Sequence, residues 1–157
     1  MMFVTVSGLP FDRLVKKMDE ISKKIDEDVV MQTGKTRYVP KNAEWFRFES
    51  TERMEWLYKN SRVIITHAGA GSIIKSLSLG KIPVVVPRYK KFGEHVNDHQ
   101  LDLTRFLERK GYITAVYEIE QLEEKIKSAA SKRRMPSGRK ALIEFLNKRA
   151  ETLERGK

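Results

Sequence analysis

The sequence contains no cysteine, which excludes both a disulfide framework and a thiolate zinc site. It also contains no apolar run approaching the roughly 20 residues that a membrane-spanning helix needs. The first ten residues, MMFVTVSGLP, have no basic stretch ahead of their apolar residues, so a strand is predicted there rather than a leader peptide. These absences predict a soluble, intracellular protein.

The charge of the chain is positive and unevenly distributed. The 157 residues suffice for one domain with a sizeable core, and they carry 31 basic and 21 acidic side chains. Residues 132–157 alone hold nine Lys or Arg against three Asp or Glu. Nucleic-acid-binding folds more often spread basic residues over one face with aromatic residues between them. The basic tail therefore suits an acidic partner or an anionic membrane surface at least as well.

Strand and helix patterns alternate along most of the chain. Strands are predicted at 2–6, 29–32, 44–48, 63–65, 83–87 and 112–116, with an amphipathic helix after nearly every one. Thr51 is the predicted cap of the second helix, and Asn97 with Gln100 forms a capping-box-like pair at the start of a later one. This alternation predicts an α/β fold: a Rossmann-like parallel six-stranded sheet, order 3-2-1-4-5-6, with helices on both faces.

The end of the chain departs from this alternation. Residues 132–138 form a basic connector, and an amphipathic helix is predicted over 139–153 with Leu142, Phe145, Leu146 and Leu153 on one face. We therefore divide the chain into a domain at 1–131 and a basic connector with its helix at 132–157. That helix is expected to pack on the domain or on a partner.

The segment HAGAGS at 67–72 lies between the fourth strand and its helix. Free N–H groups at a helix start, together with the helix dipole, make a site for anions. Gly69 and Gly71 allow a bulky anion to approach the main chain, and Ser72 adds a hydroxyl donor. In the predicted strand order the first and fourth strands are neighbours, so Gly8 flanks the same crevice. The pattern predicts a diphosphate-binding turn.

Other motifs in the sequence fail on their spacing. Gly34 precedes Lys-Thr as in a P-loop, but the first glycine of that motif would fall at Val29, inside a strand. No Gly-x-Gly-x-x-Gly follows the first strand, as a dinucleotide site requires. His95 and His99 are spaced as zinc ligands on a helix, but His95 precedes the predicted cap at Asn97. No metal site is predicted.

Several segments together resemble the C-terminal, donor-binding domain of family 28 GT-B glycosyltransferases. The resemblance is greatest to the small catalytic subunit of two-component UDP-GlcNAc transferases and exopolysaccharide glycosyltransferases that act on lipid-linked acceptors. It covers about residues 2–116 and depends most on HAGAGS at 67–72 and NDHQ at 97–100. Supporting segments are MFVTV at 2–6, FDRL at 11–14, QTG at 32–34, PVVVPR at 83–88 and GEHV at 93–96.

The resemblance implies a set of site residues. His67 is implied as the catalytic residue, stabilising the diphosphate leaving group, whereas the sugar faces His99 and Gln100. The implied donor-binding residues are Gly8, Gly34, His67, Ala68, Gly69, Ala70, Gly71, Ser72, Lys75, Arg88, Asn97, His99 and Gln100. The chain departs from the family pattern in a shortened loop at 7–10. It departs again at Lys75, where the family has a glutamate that accepts from both ribose hydroxyls.

The resemblance also implies a reaction. The expected activity is inverting, metal-independent transfer of a sugar from a UDP-sugar, with UDP-GlcNAc as the donor, to a lipid-linked acceptor. The UDP-sugar is a substrate, and no cofactor is expected. A membrane-anchored partner subunit would bind the acceptor and supply the general base, so that activity requires the complex. The chain would then lie in the cytoplasm, peripherally at the membrane, and form a homo-oligomer when isolated.

Two other functions compete with this one. Lys75 favours a non-catalytic nucleotide-sugar-binding or regulatory domain, because lysine has no acceptor for the ribose hydroxyls. The net charge alone favours a nucleic-acid-associated domain, although nucleic acid is not an expected partner.

Overall fold

Six parallel strands form the centre of the structure. The computed structural model describes residues 1–130, 140, 142–144 and 146–149. The strands are β1 (Met2–Thr5), β2 (Val29–Gln32), β3 (Glu44–Phe46), β4 (Val63–His67), β5 (Val84–Val86) and β6 (Thr114–Ala115). The helices are α1 (Asp12–Ser22), α2 (Thr51–Asn60), α3 (Ala70–Ser78), α4 (His99–Arg109) and α5 (Leu122–Ala130). The order β3-β2-β1-β4-β5-β6 confirms the predicted topology.

The pairing register brings the ends of β1 and β4 together. β1 lies between β2 and β4, with Thr5 opposite both Gln32 and Thr66. From β1 the chain adds β2 and β3 on one side of the sheet, and it then adds β4, β5 and β6 on the other side. The switch point of the topology therefore lies between β1 and β4. Ligands of open α/β sheets bind at the carboxyl ends of the strands beside such a switch point. The fold places the candidate site there.

The strands are apolar along their length because helices cover both faces of the sheet. Successive side chains of a strand point to opposite faces, so Ile65 packs with α1 and α5, whereas Ile64 packs with Leu57 of α2. Farther along the sheet, Val85 packs with α3 and α4 in a third cluster. The core therefore consists of apolar layers on both sides of one sheet.

Two predicted helix caps are wrong. Ser50, not Thr51, caps α2, because the Ser50 hydroxyl accepts a hydrogen bond from the N–H of Arg53 at 3.2 Å. The later helix begins at His99 rather than at Asn97, and the Asn97 side chain accepts from the N–H of His99 at 2.9 Å. Gln100 completes no capping box, because its side-chain oxygen accepts from the N–H of Arg88 at 3.1 Å.

The described residues beyond position 130 are helical. Leu142 and Leu146 are buried in the cluster that holds Ile73 and Leu107, so this part of the chain packs on the domain itself. The predicted connector at 132–138, Phe145 and Leu153 lie outside the described residues. Within the described ranges, no helix combines the length and the apolar character needed to cross a membrane.

Candidate functional site

The turn between β4 and α3 has the predicted strand-turn-helix form. β4 ends at His67, and α3 begins at Ala70 after Gly69, whose backbone is extended. Gly69 has no side chain, so no side-chain hydrogen bond caps the first turn of α3. The N–H groups of that turn and the positive end of the helix dipole are thus left for an outside acceptor.

The imidazole of His67 lies against this turn. The side chain is only 6% exposed, and its Nδ1 is 3.3 Å from the hydroxyl of Thr66. Burial, together with the positive charge of Arg88, lowers the pKa of His67 to about 3. His67 is therefore neutral at neutral pH, when one ring nitrogen donates and the other accepts.

The absence of a side chain has different consequences at Gly69 and at Gly71. A Cβ on Gly69 would lie 2.1 Å from Nε2 of His67, so the imidazole occupies the space that a side chain would need. A Cβ on Gly71 would meet nothing within 4 Å, and the residue sits in ordinary helical backbone. Neither packing nor conformation explains Gly71. Its open side faces a cavity, which is the arrangement expected where a ligand approaches the main chain.

A cavity of about 410 Å³ opens at the mouths of β1 and β4. This volume lies within the usual range for small-molecule sites. The predicted residues among its lining are His67, Gly71, Ser72 and Lys75. The remaining lining residues, which the sequence analysis missed, are Ser7, Glu49, Thr51, Met54, Glu55 and Tyr58. Apart from Ser7, they come from α2 and the segment before it, which follow the carboxyl end of β3 and so reach the same sheet edge.

The chain belongs to a known family. Residues 1–153 match the profile described as "Glycosyltransferase family 28 C-terminal domain". This protein is a family 28 glycosyltransferase C-terminal domain. Over 125 residues it is 34% identical to mouse "UDP-N-acetylglucosamine transferase subunit ALG13", a match that covers 71% of this chain and 10% of the relative. The chain thus spans about a tenth of the length of that curated relative.

Solved structures confirm the fold of the family 28 domain. A crystal structure of the glycotransferase of kitacinnamycin matches with a TM-score of 0.64 at 18% identity, covering 99% of this chain and 43% of that one. A solution structure of ALG13 matches with a TM-score of 0.61 at 20% identity, covering 93% and 96%. The chain therefore has the Rossmann-like fold of one half of a GT-B glycosyltransferase.

Lys75 of the family 28 domain is paired across the cavity. Its Nζ lies 3.3 Å from Oε1 of Glu55, and both side chains line the cavity. A carboxylate from α2 thus stands beside the lysine that replaces the glutamate expected from the family resemblance.

The two glycines predicted beside the crevice do not line the cavity. Gly34 has a φ of +54°, and a Cβ on it would lie 2.0 Å from the carbonyl oxygen of Ser7. Its absent side chain therefore allows close packing under the turn after β1. A Cβ on Gly8 would meet nothing within 4 Å. Ser7 is the residue of that turn that reaches the cavity, and it holds a left-handed φ of 58°.

Arg88 is a buried cation at the end of β5. It is 1% exposed, and its Nη2 donates to the carbonyl oxygens of Val6 at 2.8 Å and Leu9 at 2.9 Å. Its Nε finds no acceptor among the described residues. Burial lowers the pKa of Arg88 to about 10, an effect that attraction to Glu94 partly opposes. Arg88 thus places positive charge beneath the turn that follows β1, but it does not line the cavity.

The predicted sugar-facing residues lie outside the lining of the 410 Å³ cavity. The side chains of Asn97 and Gln100 accept backbone hydrogen bonds from His99 and Arg88, respectively, and His99 is exposed. A second cavity, of about 510 Å³, opens nearby and is lined by Tyr89, Lys91, Asp98, Leu101, Arg105, Tyr117 and Glu118. Within the described parts of the chain, no group of three or more His, Cys, Asp or Glu is placed to hold a metal ion.

Proposed function

We propose that this family 28 domain binds the nucleotide of a UDP-sugar, with UDP-N-acetylglucosamine as the donor, and acts as the donor-binding subunit of a glycosyltransferase. The observation that carries the proposal is the uncapped start of α3, which opens through Gly71 and Ser72 onto a cavity of about 410 Å³. The mouse relative is named as a UDP-N-acetylglucosamine transferase subunit, which supports this choice of donor and the need for a second subunit.

In the proposed reaction, an acceptor hydroxyl oxygen attacks the anomeric carbon of the sugar with inversion. The bond from that carbon to the diphosphate oxygen breaks, and the hydroxyl proton passes to a base on the partner subunit. Negative charge grows on the leaving UDP. The chain's own groups stabilise it: the first N–H groups of α3, the hydroxyl of Ser72, an N–H of neutral His67 and the nearby charge of Arg88.

The partner in this proposal is a membrane-anchored subunit that binds a lipid-linked acceptor. It also holds this chain at the membrane. The proposed reaction needs no metal, so turnover by the complex should be unchanged when a chelator is added. A fall in turnover on adding the chelator, restored by a divalent cation, would contradict this part of the proposal.

A titration of the purified chain with UDP and UDP-N-acetylglucosamine tests nucleotide binding. Each nucleotide should raise the unfolding temperature as its concentration passes Kd. Gly71→Val should abolish the shift, because its side chain would fill the open side of α3 that faces the cavity. Ser72→Ala should weaken binding. Ser78→Ala is the matched control, because Ser78 lies at the other end of α3 and donates to the carbonyl of Ile74.

A second candidate function is nucleotide-sugar binding without turnover, and the pairing of Lys75 with Glu55 favours it. Lysine is not an acceptor for ribose hydroxyls, and the neighbouring Glu55 carboxylate is engaged by the lysine's ammonium group. Turnover assays of the complex separate the two functions. A chain that binds UDP-N-acetylglucosamine but transfers no sugar with its partner would support the second. Binding of an oligonucleotide without any nucleotide response would contradict both.

A further inference from the structure

The loop between β5 and α4 is folded on itself. Residues 90–92 form a 3-10 turn closed by Gly93, whose φ is +68°. The N–H of Lys90 donates to the Asp98 side chain at 3.0 Å, which joins the start of the loop to the residue before α4. The 3-10 turn is therefore bonded to the residue that precedes α4, and the predicted sugar-facing residues lie at the start of that helix.

Arg13 of α1 and Glu94 of the loop form a bidentate ion pair. Nε of Arg13 donates to Oε2 of Glu94 at 3.0 Å, and Nη2 donates to Oε1, also at 3.0 Å. Nη2 also donates to the carbonyl oxygen of Pro87 at 3.1 Å. Oε1 of Glu94 accepts a further bond from the N–H of Tyr89 at 3.0 Å. One carboxylate thus holds both the loop and the helix.

This pair is more enclosed than a surface ion pair. The Arg13 and Glu94 side chains are 18% and 9% exposed. The guanidinium carbon of Arg13 lies 5.3 Å from the ring centre of Tyr89 and 5.0 Å from that of Phe92, and both rings belong to the loop. Parallel hydrogen bonds and ring contacts fix the orientation of a guanidinium far better than charge alone.

We propose that Arg13 and Glu94 are positioning residues for the donor's sugar, because their contact fixes the loop and hence the place of His99 and Gln100. This inference rests on the proposed function, since it assumes that a UDP-sugar is bound with its sugar beside His99 and Gln100. Neither Arg13 nor Glu94 lines the 410 Å³ cavity. The pair should therefore affect recognition of the sugar and leave recognition of UDP unchanged.

Calorimetric titration of the full chain with UDP and with UDP-N-acetylglucosamine separates these contributions. In Arg13→Ala and Glu94→Ala, the affinity for UDP should stay within about twofold of the unchanged chain. The affinity for UDP-N-acetylglucosamine should fall about tenfold, because misplaced groups lose their contacts with the sugar. Arg13→Lys and Glu94→Gln are milder variants that keep the chain length of the side chain, and each should lose part of the same affinity.

The control and the double variant make the test specific. Arg53→Ala removes a comparable group, since Arg53 pairs with Glu44 at 3.3 Å and lies 4.9 Å from the Trp56 ring, and it should change neither affinity. Arg13→Ala combined with Glu94→Ala should cost less than the sum of the two single changes, because each removes the ion pair that they share. Hydrogen exchange without ligand should become faster at the N–H of Tyr89 in both single variants.

Several outcomes would overturn the inference while nucleotide binding stands. These are an equal loss of affinity for both ligands, no loss for either ligand, losses that add in the double variant, or a parent chain that binds both ligands equally. If the parent chain binds neither UDP nor UDP-N-acetylglucosamine, the proposed function fails and the inference fails with it.

Discussion

Charged side chains are paired differently at the two edges of the sheet, the one where the parallel strands begin and the one where they end. Where the strands begin, Glu27 accepts two hydrogen bonds from Arg62, at 3.0 and 2.6 Å. At the same edge Lys81 donates to three carbonyl oxygens at the end of α2, those of Tyr58, Lys59 and Ser61, at 2.6 to 2.7 Å. Where the strands end, Arg88 contacts no carboxylate among the described residues, and α3 starts without a side-chain cap. The first edge thus satisfies these charged groups itself, whereas the second leaves Nε of Arg88 and the start of α3 for a ligand.

The pKa values follow the same division. Hydrogen bonding from Arg62 lowers the pKa of Glu27 to about 2, as expected of a carboxylate with a close cation. At the other edge burial lowers the pKa of His67 to about 3 and that of Arg88 to about 10, because the charged forms have lost water without gaining an anion in direct contact. The difference teaches that the cations Arg62 and Lys81 are satisfied by the protein's own acceptors at one edge, whereas His67 and Arg88 at the other edge keep donor capacity for a ligand.

The largest effect should come from Gly69→Ala. The added methyl group would lie 2.1 Å from Nε2 of His67, so the buried imidazole must move. We expect a loss of about 2 kcal/mol in the free energy of unfolding, as in other overpacked sites. UDP binding should be lost with it. Denaturant unfolding and UDP titration measure the two effects.

Gly71→Ala in the same turn is the matched control for Gly69→Ala. Its methyl group meets nothing within 4 Å, so stability should change by less than about 0.5 kcal/mol. UDP affinity should nevertheless fall. If Gly69→Ala and Gly71→Ala have equal effects on stability, the distinction between the two glycines is wrong.

Arg88→Met and Lys81→Met compare the two edges directly. Arg88→Met removes the buried positive charge near His67, and we expect UDP affinity to fall about tenfold because the long-range attraction of that charge for the diphosphate is lost. It also leaves the carbonyl oxygens of Val6 and Leu9 without their donor, so some stability should be lost as well. Lys81→Met leaves three carbonyl oxygens of α2 without their donor. It should lower stability by about 1–2 kcal/mol and leave UDP affinity unchanged. The reverse result, with Lys81→Met weakening UDP, would break the comparison.

The free energy of unfolding should fall at acid pH because of the ion pair between Glu27 and Arg62, at the edge where the strands begin. The pKa of Glu27 is about 2 in the folded chain against an ordinary value of 4.5, so its contribution is full above pH 4.5 and lost as the pH falls toward 2. We expect about 1 kcal/mol, allowing for the exposure of Arg62. Glu27→Gln should remove this part of the pH dependence. Unfolding curves between pH 2 and 6 that are identical for both proteins would show that Glu27 contributes nothing.

The smallest effect should come from exchanging the charges of Glu55 and Lys75. Lys75→Glu alone places two carboxylates where an ion pair of 3.3 Å now stands, beside a site for an anion, so UDP affinity should fall about threefold in spite of the added acceptor for the ribose hydroxyls. Glu55→Lys combined with Lys75→Glu restores opposite charges and should recover that affinity. Stability should change little in either variant, because the Lys75 and Glu55 side chains are 40% and 60% exposed. A double variant weaker than Lys75→Glu alone would contradict this account.

The sheet was predictable because its signals are local and repeated. Apolar β-branched runs such as 63–65 and 84–86 define buried parallel strands, and their alternation with helices restricts the strand order. The turn at 67–72 was predictable for the same reason, since a strand, small residues and a helix follow one another directly in the chain. What the turn binds stays a prediction.

The errors arose where a distant residue competes for a local group. Gln100 is placed to cap a helix begun by Asn97, but the N–H of Arg88 takes its side-chain oxygen. Met54, Glu55 and Tyr58 line the cavity because α2 lies beside α3 in space, which no pattern within α2 indicates. Such contacts depend on how helices pack, so a periodic pattern contains no information about them.

The sequence by itself determined the parallel sheet, its order and the strand-turn-helix form of residues 67–72, because each depends on neighbouring residues and on the handedness of strand connections. The tertiary structure alone decided that Arg88 is buried without a carboxylate in contact, that Glu55 faces Lys75, and that Arg13 holds Glu94. These pairings join residues far apart in the chain, and their energies depend on burial and distance, which exist only once the helices have packed on the sheet.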